Sequence, residues 1–118
     1  MSDIPDFTQE EITTINDTLQ ERFGHAVETH LVDTEIRLYK GDRELTQCPA
    51  IYWEENDCNF IIVKKAGNRF HNQFFYGVNK QYGTGIEEYD DIVNCVVTLL
   101  RVQADHDLEE KGALDQKK

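Results

Sequence analysis

Apolar positions change their period twice along the chain. Ile12, Ile15, Leu19 and Phe23 repeat at the spacing of one helix face. Thr8 and Glu11 stand just before this run as a capping box, with Phe7 placed to staple onto Ile12. Gly24 follows it and enters the left-handed conformation at little cost. A first helix over about 9–23 is therefore predicted. From Val27 the period shortens to two. Val32, Thr34, Ile36 and Leu38 alternate with Asp33, Glu35 and Arg37, the pattern of a half-buried strand. Gly41-Asp42 reads as a turn and Glu44 to Gln47 as a short return strand, interrupted at Cys48-Pro49 because proline lacks a backbone donor. Strands over Ala50 to Glu55, Cys58 to Lys65 and Arg69 to Tyr76 follow, separated by Asn56-Asp57 and Ala66-Gly67-Asn68. Gly77 to Gly83 reads as a loop. The helical period then returns in Ile86, Tyr89, Val93, Val96 and Leu100, widened by Ile92, Cys95 and Leu99. Thr84 with Glu87 makes a second capping box, and acids in the first turns complement the helix dipole, so a second helix is predicted over about 85–105. Residues 1–7 and 108–118 read as flexible.

These elements predict one α+β domain spanning 1–118: an N-terminal helix, a four- to five-stranded antiparallel meander and a C-terminal helix, both helices on one face of the sheet. A sheet covered on one side should alternate apolar and polar residues. Here Phe60 and Ile62 alternate with Ile61 and Val63, and Phe70, Phe74 and Tyr76 with His71, Gln73 and Phe75. Of the 12 aromatic residues, nine lie between Tyr52 and Tyr89, which concentrates them on the sheet. The second face is expected to carry some combination of Tyr52, Ile61, Val63 and Phe75, or their counterparts on the other side of the strands. Such an apolar face calls for a cover: curvature of the sheet or the crossing strand from Val27 to Tyr39, a second copy of the chain, or a partner or small ligand. The partner-binding residues expected from this reading are Tyr52, Trp53, His71, Phe75, Tyr76 and Tyr82.

Charge narrows the partners. The chain of 118 residues has 12 basic and 23 acidic side chains, net −11. That excludes general nucleic-acid binding and attraction to an anionic membrane. No apolar run approaches the roughly 18–20 residues that span a bilayer. The acidic start, Met-Ser-Asp-Ile-Pro-Asp, lacks the basic and apolar regions of a secretory signal, so a cytoplasmic location is expected. The charge is uneven. Residues 1–24 hold six acids and one base, net −5; residues 25–83 eight and seven, net −1; residues 84–118 nine and four, net −5. The acidity belongs to the helices, and the predicted sheet is nearly neutral.

Candidate chemistry is sparse. Cys48, Cys58 and His71 could meet across a sheet as zinc ligands, but nine residues separate the cysteines and no fourth ligand is evident. Cys58 beside His71 would suit a thiol nucleophile if their strands pair in register. Cys95 lies on the apolar stripe of the second helix and reads as core. Three cysteines without close pairing read as reduced thiols, with one disulfide in an exported protein as the alternative. Glu54 and Glu55 alternate faces and cannot share a site. The EF-hand pattern is absent. Gly83-Thr84-Gly85 is followed by four acids that would repel a phosphate. Lys64, Lys65, Arg69 and Lys80, interleaved with aromatics, have the flavour of a single-stranded RNA surface, against the total charge. His106 reads as part of a solvated helix end, and His25 and His30 have no recognisable partner set. No catalytic residue, metal or cofactor is expected. The helix–meander–helix layout resembles that of small acidic bacterial accessory proteins, secretion chaperones and immunity proteins among them, which implies an interaction role. The expected function is a non-catalytic, acidic, cytoplasmic accessory protein that binds a protein partner or itself through the aromatic-rich sheet face. The alternatives are an acidic inhibitor or nucleic-acid mimic of a basic protein, and a small ligand-binding domain or enzyme.

Overall fold

The structure, a computed structural model, describes residues 4–36, 44–55, 58–67, 69–76, 81–83 and 88–115. The first helix, α1 (Gln9–Phe23), forms as its sequence dictates. The Thr8 hydroxyl accepts from the Glu11 N–H at 3.1 Å, and the Glu11 carboxylate accepts from the Thr8 N–H at 2.8 Å. Gly24 ends the helix in the left-handed conformation, φ 77°, its N–H donating to the Gln20 carbonyl. A side chain there would be strained, and glycine is free of that cost.

Five strands follow in meander order: β1 (His30–Ile36), β2 (Thr46–Glu55), β3 (Cys58–Ala66), β4 (Arg69–Phe75) and β5 (Gln81–Tyr82), each antiparallel to the next. The second helix is α2 (Ile92–Asp115). The α+β class and the helix–sheet–helix layout are thus as the periodicity predicts.

Several local expectations are corrected. Pro49 does not interrupt a strand: β2 runs unbroken through it. Pairing of β2 with β3 begins only at Ala50, so Pro49 sits where β2 is paired with β1 alone, opposite Asp33. A missing donor is tolerated at such an edge-like position. The 77–83 loop contains β5. Helix α2 opens at Ile92 rather than near 85, because both backbone groups of Tyr89 bond Phe70 of β4 at 2.8 Å in an antiparallel bridge. Asp91 supplies the cap instead, its carboxylate accepting from the Val93 N–H at 3.1 Å. The helix runs on to Asp115. At the other end, Ile4 and Phe7 pack against the body of the protein, so residues 4–7 are not a loose lead-in. Gly41-Asp42, Asn56-Asp57, Asn68, Lys80 and the Thr84–Glu87 box lie outside the described residues.

One cluster joins helices and sheet. Ile15 and Leu19 of α1 and Cys95, Val96, Leu99 and Leu100 of α2 meet Ile51, Trp53, Phe60, Ile62, Phe70 and Phe74. The strand registers Trp53↔Phe60↔Phe74↔Tyr82 and Ile51↔Ile62↔Asn72 confirm a single face. Buried Asn72 fixes α2 on it, donating to the Cys95 carbonyl at 2.8 Å and its sulfur at 3.4 Å. A buried amide that finds such partners favours one helix register over its neighbours.

Candidate interaction surface

Strand parity places Val32, Cys48, Ala50, Tyr52, Asn59, Ile61, Val63, His71, Gln73 and Phe75 on the opposite face. The buried residues of α1 and α2 all belong to the other cluster. Nor does β1 fold across the second face: it is the edge strand beside β2. From outside the sheet, Ile4 packs on the small cluster of Cys48, Ala50 and Val63. Tyr52, Ile61 and Phe75 are half-buried, and Val32 is 41% exposed.

Side-chain hydrogen bonds link the strands on this face. The Tyr52 hydroxyl donates to Asn59 Oδ1, and Asn59 Nδ2 donates to the Phe75 carbonyl at 3.4 Å. The His30 ring lies 6.2 Å from that of Tyr52. The chain of bonds crosses β2, β3 and β4 and uses no ionised group. Asn59 is the member that sequence reasoning missed; its alternation with Phe60 was the available signal.

The six expected partner-binding residues divide between the faces. Tyr52, His71 and Phe75 share the second face. Trp53, Tyr76 and Tyr82 lie on the helix side. Trp53 is fully buried, its ring stacked 5.2 Å from Phe60. It is core, and no partner can reach it. Tyr76 and Tyr82 join Phe74 and His106 in an aromatic cluster, with Tyr82 and His106 centroids 4.3 Å apart. Gln103 donates to the Tyr76 hydroxyl at 3.0 Å. His106 is therefore packed rather than solvated. It lies seven residues beyond Leu99, a spacing that continues the buried stripe of α2.

The catalytic and metal candidates are dispersed. Cys58 lies on the helix face, whereas Cys48 and His71 lie on the other. Among the described residues no group of three or more His, Cys, Asp or Glu side chains could hold a metal ion. All three cysteines are free and buried. Burial pushes the Cys95 thiol up to about 12 and the Cys58 thiol up to about 11, outweighing the hydrogen bond that Tyr76 gives Cys58. Burial also raises Cys48 and Tyr76. The thiolate is the nucleophile, so iodoacetamide at neutral pH should label the native protein far more slowly than the unfolded chain. The native state favours the protonated thiols, so their contribution to stability is intact below the ordinary value of 9.0 and is lost as pH rises toward about 11 and 12.

Three of the four basic residues offered for RNA are engaged within the protein. Lys64 is buried, while Lys65 and Arg69 both pair with Glu88, at 3.5 and 3.2 Å. No helix among the described residues is long and apolar enough to cross a membrane. Comparison with protein-family models, with curated proteins and with solved structures finds no match.

Proposed function

We propose that the chain is a non-catalytic interaction protein that works through its second sheet face, and that the occupant of this face is a second copy of itself. The observation that carries the reading is a division of charge. Acidity is concentrated at the helical ends, −5 before residue 25 and −5 after residue 83, while the intervening residues total −1. The half-buried apolar face belongs to that near-neutral part, and both helices lie behind it.

For a chain of net −11, this is the face across which self-association is least opposed. Facing sheets pack about 10 Å apart. With a further layer of roughly 10 Å to each helix axis, the two acidic helical layers would stand about 30 Å apart. That is several times the ~8 Å screening length at physiological salt. The buried, reduced thiols suit a reducing compartment, in keeping with a cytoplasmic accessory protein.

Sedimentation equilibrium tests this reading. The protein is expected to behave as a dimer at micromolar concentration, and Phe75→Glu or Ile61→Glu as a monomer with little change in melting temperature. A wild-type monomer throughout that range sinks the second-copy reading. The acidic-mimic alternative rests on net charge alone and predicts capture of a basic protein that is lost at high salt.

A further inference from the structure

On the side of the helices away from the sheet, α1 and α2 bound a groove of about 600 Å³. Its α2 wall is Val93, Val97, Leu100 and Ala104, spaced at i, i+4, i+7 and i+11. Val93 is 48% and Val97 36% exposed, although the sequence pattern puts Val93 in the core. Leu108, 66% exposed, extends the line by one turn. Valine is a mediocre helix former because its branched β-carbon loses rotamer freedom there. Solvated helix positions ordinarily favour better helix formers, so two exposed valines in register with a leucine need another reason.

The charges beside the groove supply one. Arg22 of α1 and Arg101 of α2 both line it, and both are exposed. Arg22 is the one basic residue of α1, and α2 carries Arg101 and, near its end, Lys111. Neither arginine forms an ion pair with a described residue, in a protein with 23 acids. Thr18 and Glu21 complete the α1 wall, and Glu21 is the single acid on the lining. The groove therefore sets an apolar strip beside two guanidiniums that form no ion pair among the described residues. That is complementary to an apolar helix edge flanked by carboxylates.

We propose that this groove docks an acidic amphipathic helix of a partner protein. From Val93 to Leu108 the strip is about 22 Å long at 1.5 Å per residue, which matches about four turns of a docked helix. The apolar anchors of the partner would seat on Val93, Val97 and Leu100. Its carboxylates would reach Arg22 and Arg101 in the fork geometry that guanidinium groups favour.

The test uses the full chain and two fluorescein-labelled peptides of roughly 20 residues, long enough to form helix in water. Both carry leucines at i, i+4, i+7 and i+11. One has glutamate and the other lysine at the flanking positions. Net charge favours the lysine peptide; the groove favours the glutamate peptide. Fluorescence anisotropy is expected to show saturable binding of the glutamate peptide. Arg22→Glu with Arg101→Glu should weaken it by a hundredfold or so, about tenfold for each ~1.4 kcal/mol lost. Val97→Asp should abolish it, while Phe75→Glu leaves it unchanged. Equal or tighter binding of the lysine peptide overturns the proposal, as does failure of the glutamate peptide to bind. It is also overturned if Val97→Asp dissociates a dimer that Phe75→Glu leaves intact, because the occupant of the groove is then a second copy. All three substitutions in the groove are at exposed positions, and circular dichroism melts confirm that the fold is retained.

Discussion

Lys64→Ala is expected to lower stability by about 3–5 kcal/mol, the usual result of removing one member of a buried ion pair. Lys64 is 1% exposed. Its ammonium donates to Glu11 Oε1 at 2.7 Å and to the Asp6 carbonyl at 3.0 Å, and it lies 5.7 Å from the centre of the Phe7 ring. Glu11 is also the acid of the α1 capping box. One lysine therefore joins the central strand β3 to the entry of α1 and to the segment before it. Truncation leaves the Glu11 carboxylate, itself only 15% exposed at the side chain, facing an empty site. Thermal denaturation should show the effect as a fall of roughly 12–20 °C, at ~4 °C per kcal/mol. The pairing itself is read by a cycle with Lys64→Met, Glu11→Gln and both together. The double variant is expected to be more stable than Lys64→Met alone, because it buries no unpaired charge. Strict additivity of the two single changes would refute the coupling.

Nothing local marks Lys64. In the alternation of Cys58 to Lys65 it stands as the first of two lysines at a strand end, where solvent is the ordinary expectation. It is buried because residues 4–11 return to it across more than fifty positions of sequence. The α1 boundaries behave oppositely. Thr8, Glu11 and Gly24 act within three or four residues of themselves, so both ends of the helix were legible. The start of α2 shows the limit of such local signals. Asp91 caps the helix, and Tyr89 just before it is held in extended backbone by pairing with Phe70, nineteen residues earlier, a contact that no local pattern announces.

The interaction surface was legible in the same partial way. Period-two alternation separates Tyr52 from Trp53 and Ile61 from Phe60 without reference to anything distant. It does not say which set the helices cover. Both Tyr52 and Trp53 therefore entered the expected binding surface, although they point to opposite sides of the sheet. The groove between the helices was hidden for a related reason. Val93 and Val96 fit one helical stripe when judged by spacing, but α2 has two apolar edges, one on the sheet and one beside α1. Only the position of α1 tells them apart.

That division makes Trp53 the sharper test of the fold. Trp53→Ala should cost about 3–5 kcal/mol, the range for removing a large buried aromatic. Trp53→Phe should behave quite differently. The indole is fully buried, and its Nε1 has no hydrogen-bond partner among the described residues. An unsatisfied buried donor carries a penalty of about 1–3 kcal/mol, and phenylalanine removes it. Phenylalanine also keeps a flat ring against Phe60, whose plane lies within 11° of the indole. The lost packing volume and the relieved donor oppose each other, so Trp53→Phe is expected within about 1 kcal/mol of wild type. Circular dichroism in urea gives both values. Trp53 is the sole tryptophan, so neither variant retains its fluorescence as a probe. In the wild type that emission should be blue-shifted and should move to the red on unfolding. A Trp53→Ala variant with unchanged stability would contradict the burial that places Trp53 beneath the helices, and with it the assignment of Tyr52 and Phe75 to the opposite side of the sheet.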